Sequence, residues 1–248
     1  MTNFKLTIQY DGMRFSGWQK QGNTDNTIQG KIENILSKMT GEEIEIHGSG
    51  RTDAGVHAIK QIANFKTNAV LKYRMPNGHR EVPLDDVRQG LRILHNYSEE
   101  WKITKVGVMG ASIGGYIAGH AAIFGVDDAR PDFQILLYPV ISMLPHLTHL
   151  KSRERLLGAN PTHEEEEAFS LELHVNSLTP PAFIALASDD EAVSPENSVL
   201  YYLALLKNKV SASLHIYPKG GHSFGFRDNF VYKRQWTDEL EKWLSTIE

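Results

Sequence analysis

The sequence predicts an α/β fold, a mostly parallel sheet flanked by helices and preceded by an α+β segment. Three observations predict it. Short apolar runs at Val106–Met109, Phe133–Val140, Ala182–Ala187 and Leu214–Tyr217 are separated by stretches long enough for crossover helices. The first of these runs into Gly110-Ala111-Ser112-Ile113-Gly114-Gly115 and then the small, apolar Tyr116–Ala122, which reads as strand, sharp turn and helix. By contrast, Phe4, Leu6, Ile8 and Tyr10 alternate with polar residues, as in a half-buried strand.

Taken in order, that first strand ends at the turn Asp11-Gly12, and Trp18 follows in a polar loop with Gln19, Lys20 and Gln21. Ile28, Ile32, Ile35, Leu36 and Met39 recur at helical spacing, with Asn26 or Thr27 placed to cap and Gly41 to stop the helix. Glu43 to His47 alternates as a second strand, and Ile59 to Phe65 is a third extended stretch. Pro83 opens a helix with Leu84, Val87, Leu91 and Leu94 on one face. The acidic run Glu164 to Glu167 reads as a solvated helix face. Ser194-Pro195 starts a helix carrying Val199, Leu203 and Leu206, and Trp236, Leu240, Trp243 and Leu244 mark the closing helix.

Composition narrows the function classes. The chain has 248 residues and no cysteine, which excludes disulfide, thiol and cysteine-metal chemistry. Its net charge is −4; residues 1–68 hold eight Lys or Arg against seven Asp or Glu, so the remainder carries −5. Neither part offers the basic surface that nucleic-acid binding uses. Met1–Lys5 lacks the apolar run of a signal peptide, and Val199–Leu206 is too short to span a bilayer, so the expectation is cytoplasmic, with no membrane partner. His57, His79, His120 and His215 show no ligand spacing beside carboxylates, so no metal and no cofactor are expected.

Ser112 is the best nucleophile candidate, since glycines two before and two after it suit a strained strand-to-helix turn. The new helix aims backbone N–H groups at the site, that of Ile113 first, where they can hold an oxyanion. A nucleophilic serine needs a base and an orienter. An acid stands in Ser188-Asp189-Asp190 after one apolar run. His222 follows Lys219-Gly220-Gly221 after the next.

From about Val70 onward the chain resembles the esterase and lipase branch of the α/β-hydrolases, and is similar to acetyl-xylan and other carbohydrate esterases. The resemblance rests on Leu71–Pro76, the serine turn, Asp190 through Pro195-Glu196-Asn197-Ser198, and His215–Gly225. It implies an α/β-hydrolase-like sheet, Asp190 rather than Asp189 as orienter, and a Ser112-Asp190-His222 triad. It further implies a small ester substrate, acetylated sugars included. In that family three strands precede Leu71–Tyr73 or lie between it and Val106–Met109. These have no counterpart here, and the loop after the third would supply a second oxyanion donor.

Residues 1–68 differ in kind. Tyr10-Asp11-Gly12, Phe15-Ser16-Gly17-Trp18-Gln19, Thr27-Ile28-Gln29-Gly30 and Gly50-Arg51-Thr52-Asp53-Ala54-Gly55-Val56-His57-Ala58 resemble the start of the tRNA pseudouridine synthase A family. The resemblance implies a partial ferredoxin-like α+β segment, with Asp53 acting on the uridine and Arg51 helping to extract the base from its stack. It stops near Asn68, so the chain reads as a chimera of a 1–68 segment and a 69–248 hydrolase domain. A serine carboxylic-ester hydrolase leads. A tRNA pseudouridine synthase, with tRNA as partner, and a chimera with neither activity stay open, as does an oligomer.

Overall fold

The alternation of residues 3–10 becomes strand β1, Thr2–Tyr10, in a computed structural model that describes residues 2–40, 43–67, 71–76, 78–101, 103–225 and 227–247. The expected helix stop at Gly41 and the switch near Asn68 lie outside the described residues. The chain divides into two units, Met1–Lys72 with Glu99–Ile103, and Tyr73–Ser98 with Thr104–Glu248.

In the first unit, helix α1, Ile28–Thr40, is followed by β2, His47–Gly48, and β3, Ala58–Thr67. The strands lie in the order β1-β3-β2, antiparallel, with Phe4 opposite Phe65 and a register shift between Ile8 and Tyr10. Thr27 Oγ1 accepts the Gly30 amide at 3.2 Å, a cap at the start of α1 worth about 1 kcal/mol. The expected strand over Glu43–His47 is cut to its last residue and Gly48. Its alternation survives, with Ile44 and Ile46 buried, but its donors go elsewhere: Ile44 N to Ser37 Oγ at 2.9 Å and Ile46 N to Glu33 Oε1 at 3.0 Å. Helix side chains have taken the place of a strand neighbour. Trp18 lies outside any helix or strand, as expected, and packs inward with Ile28, Ile44 and Ile46 in this unit's core.

Leu71–Pro76, which runs from the end of the first unit into the start of the second at Tyr73, forms no strand. The Arg74 amide and guanidinium instead bind the Asp86 carboxylate, at 2.8 Å and 2.6 Å. With the intervening strand missing from the sequence, this segment has no ladder to join. Helix α2, Glu81–Asn96, starts two residues before Pro83 and buries Leu84, Val87 and Leu91; the short α3, Ser98–Trp101, falls for the most part in the first unit. Four parallel strands come next, β4 Gly107–Ala111, β5 Phe133–Leu137, β6 Ala182–Ala187 and β7 Ala212–Tyr217, ordered β4-β5-β6-β7.

Parity along the strands explains the two faces. Ile135, Leu137, Phe183 and Ala185 pack with Trp236, Leu240 and Trp243 of α8, Lys233–Leu244. The alternate residues Gln134 and Leu136 face α4, Ile113–Phe124, and α7, Glu196–Lys207, where Tyr201 Oη donates to Gln134 Oε1 at 3.0 Å. Strand β6 is buried throughout, as a parallel strand covered on both faces should be. Between β5 and β6 lie α5, Leu150–Leu157, and α6, His163–Ala168. The acidic run is not wholly solvated: Glu166 is 5% exposed and takes Arg153 Nε at 2.9 Å. Strand β5 ends at Leu137, short of the expected Val140, because Tyr138 turns left-handed at φ 38°. No described helix is long and apolar enough to cross a membrane.

Candidate active site

Ser112 sits between β4 and α4 with φ 55° and ψ −123°, a sparsely populated conformation for a residue with a side chain. Its backbone is held on every side. The Ser112 N–H donates to Leu137 O at 3.0 Å, and its carbonyl accepts Gly115 N at 3.0 Å and Val140 N at 3.1 Å. Gly110 permits the turn, since a Cβ there would lie 2.0 Å from Gly114 O. The glycine expected two residues after the serine is not sterically required: a Cβ at Gly114 meets nothing within 4 Å, whereas one at Gly115 would lie 2.7 Å from Pro139 Cβ.

The turn points Ser112 Oγ at His222 Nε2, 2.8 Å away, and His222 Nδ1 lies 2.7 Å from Asp190 Oδ2. A carboxylate can only accept, so Nδ1 carries the proton and the bare Nε2 accepts from the serine hydroxyl. Asp190 is buried at 7% exposure, and its Oδ1 accepts the amides of Ala192 at 2.9 Å and Val193 at 3.0 Å. These bonds fix the carboxylate before it meets the imidazole. Ile113 begins α4, and no backbone bond takes up its N–H among the described residues. The structure thus brings Ser112, Asp190, His222 and Ile113 together at the C-terminal end of the parallel strands, where ligands bind in open α/β sheets.

Asp53 and Arg51 belong to the first unit and are exposed on the loop before β3. No ion pair joins them among the described residues; the loop is held by Trp18 N donating to Thr52 O at 2.9 Å, Gly55 N to Gly12 O at 3.2 Å, and a 2.7 Å hydrogen bond between the Tyr10 and Thr52 hydroxyls.

Three residues that sequence reasoning left without a role surround the hydrolase-like site. Asp189 Oδ1 accepts the Gly221 amide at 2.7 Å. Asn197, fully buried, accepts the amides of Ile141 at 3.0 Å and Ser142 at 2.9 Å and donates to Leu147 O at 2.8 Å, tying the segment after β5 to α7. His149 begins α5 with Nδ1 2.8 Å from Ser152 Oγ, and burial first, then the charge of His222, holds its pKa below the usual histidine value. The string around Asn197 was legible as motif; its bonds were not.

Comparison with known proteins fits both halves. Residues 75–247 match the prolyl oligopeptidase family, and residues 6–98 match the tRNA pseudouridine synthase family, so the two matches overlap across α2. An acetylxylan esterase of Xylanibacter ruminicola is 39% identical over 184 residues, 72% of this chain and 38% of that protein. A tRNA pseudouridine synthase A 2 of Bacillus cereus is 66% identical over 71 residues, 29% of each chain. The chain therefore spans well under half the length of either relative. Among solved structures, an acetyl ester-xyloside bifunctional hydrolase from Caldicellulosiruptor lactoaceticus superposes with a TM-score of 0.67 at 28% identity, covering 98% of this chain and 87% of that one.

Proposed function

We propose, for a chain that belongs to the prolyl oligopeptidase family and carries a pseudouridine-synthase-like N-terminal part, a serine hydrolase of short-chain carboxylic esters, acetylated carbohydrates among them. The observation that carries this reading is the unbroken hydrogen-bond relay from Ser112 Oγ through His222 to Asp190. The esterase relatives agree with it in the chemistry their names state.

In this reading Ser112 Oγ attacks the acyl carbon as His222 Nε2 takes its proton, and Asp190 steadies the resulting imidazolium. The carbonyl oxygen becomes an oxyanion beside the Ile113 N–H. Collapse breaks the acyl–oxygen bond, and His222 returns the proton to the departing alcohol. Water, deprotonated by His222, then attacks the acyl-enzyme, releases the acid and restores the serine. A site lacking one oxyanion donor loses on the order of 10²–10³ in turnover, so a slow enzyme is expected if nothing replaces the family's missing loop.

Hydrolysis of p-nitrophenyl acetate by the purified chain, with Ser112→Ala beside it, tests the reading. Serine-dependent release of nitrophenol supports it, and turnover that survives in the alanine variant ends it. A second reading, uridine isomerisation in tRNA through Asp53 with help from Arg51, is favoured by the 66% identity of the N-terminal match. It requires that Asp53→Ala abolish pseudouridine formation; a wild-type chain that forms none removes it. If neither activity appears, the chain is a chimera that retains its ancestral sites without their function.

A further inference from the structure

Tyr138 stands where β5 ends, with φ 38°, a left-handed backbone that a residue with a side chain keeps only where its surroundings impose it. Here they do. Its N–H donates to Ala185 O at 2.7 Å; the residue before it accepts the Ser112 amide at 3.0 Å, and Val140 N donates to Ser112 O at 3.1 Å. Tyr138 is therefore clasped between β6 and the serine turn. In that conformation the side chain is 7% exposed and meets the His222 imidazole edge-on, with centroids 5.0 Å apart and planes at 67°. Its other ring neighbour is Phe224 at 4.9 Å, itself stacked on Phe230 at 4.4 Å.

Beyond these rings His222 is held by its own two hydrogen bonds and by the Asp189 bond to the amide of the preceding Gly221. Its segment lies between β7 and α8 outside any helix or strand, and Gly221, Ser223 and Gly225 all have positive φ. The ring's orientation therefore falls to its side-chain contacts. Hydrogen bonds at Nδ1 and Nε2 fix the two nitrogens, but their angular preference is broad, so they resist only weakly a small tilt of the ring about the line joining them. A second ring set nearly perpendicular blocks that tilt.

We propose that Tyr138 is a positioning residue for His222, whose aromatic ring keeps the imidazole aligned between Ser112 and Asp190; this rests on the reading of His222 as the general base. The strained backbone at the end of β5 is what delivers the ring there, so the strain serves the site.

The test compares Tyr138→Phe with Tyr138→Leu in p-nitrophenyl acetate hydrolysis and in the low-field proton resonance of His222 Nδ1–H. Phenylalanine keeps the ring and is expected to keep kcat within about twofold. Leucine keeps the apolar bulk and is expected to lower kcat by on the order of 10- to 10²-fold with KM unchanged, the size of a small misplacement of a reacting group, and to broaden or shift the resonance. Leucine with wild-type kcat and an unmoved resonance overturns the proposal, and so does an equal loss in both variants. Should the leucine protein not fold, the wild type decides: a nuclear Overhauser contact between the Tyr138 ring and the His222 ring is expected, and its absence overturns the proposal. If the wild type hydrolyses no ester, the ester reading fails while the two spectroscopic measurements still judge Tyr138.

Discussion

Asp189 holds Gly221 through one hydrogen bond of 2.7 Å, directly beside the 2.7 Å bond by which Asp190 holds His222, so two consecutive carboxylates clamp two consecutive residues of the loop after β7. Only the second clamp touches the base; the first fixes the loop that carries it.

Removing the first clamp is expected to cost activity without touching the relay. Asp189→Ala forfeits one solvent-exposed hydrogen bond, about 0.5–1.5 kcal/mol, which if lost wholly from the transition state lowers kcat by roughly 2- to 10-fold. Asp189→Asn keeps an acceptor and is expected to stay near wild type. Asp190→Asn, which disturbs the tautomer, is expected to cost about 10⁴-fold. Steady-state kinetics on p-nitrophenyl acetate rank the three, and a ranking with Asp189→Ala indistinguishable from wild type removes the clamp.

The serine turn makes a sharper steric distinction than its glycine pattern implied. A methyl at position 110 would sit 2.0 Å from Gly114 O, while one at position 114 has open space. Gly110→Ala is therefore expected to unfold or rearrange the turn. Gly114→Ala is expected to leave stability unchanged or raise it by about 0.4–1 kcal/mol through the lower entropy of the unfolded chain. Urea denaturation followed by tryptophan fluorescence compares them.

Acid should destabilise the second unit through His120. Burial lowers its pKa from 6.5 to about 3, and its ring packs on Phe124 at 4.5 Å. Above pH 6.5 the residue is neutral in both folded and unfolded chains and has no effect. Between pH 6.5 and about 3 the unfolded chain binds a proton that the folded one refuses, so stability falls by up to about 1.4 kcal/mol per pH unit. His120→Phe removes this contribution; its stability, measured from pH 7 to pH 4, is expected to decline less steeply than the wild type's.

Strand β4 ends the parallel sheet, pairing only with β5 among the described residues, and its Met109 is 46% exposed. No lysine or proline guards its Gly-Val-Met-Gly-Ala sequence. Such an edge invites pairing with other chains, and a charge on it discourages that. Met109→Lys is expected to shift the protein towards smaller species in light scattering at equal concentration, and an unchanged distribution means the edge does not drive association.

What was legible in the sequence was whatever depends on neighbours along the chain. The Gly110–Gly115 turn, the helix over Ile28–Thr40 and the buried run of β6 depend on local sterics and periodicity. What failed depends on distant partners. Leu71–Tyr73 has strand-like residues but no strand to pair with. Ile44 and Ile46 alternate correctly, yet give their amides to Ser37 and Glu33 of a helix. Glu166 looks like one member of a solvated run until Arg153 reaches it. Tyr138 carries no local sign of a left-handed backbone, because that conformation is imposed by the Ala185 and Ser112 backbones.

The four-stranded sheet is also the span across which the relay is strung. Ser112 follows β4 at one end, Asp190 follows β6, and His222 follows β7 at the other end, so the three side chains bridge every ladder the sheet contains. Partial opening of any of those ladders would part nucleophile from base while most of the core stayed folded. Amide hydrogen exchange along β4, whose outer edge pairs with no strand among the described residues, would therefore act as a gauge of how much of the time the site is assembled, and heat inactivation should run ahead of global melting.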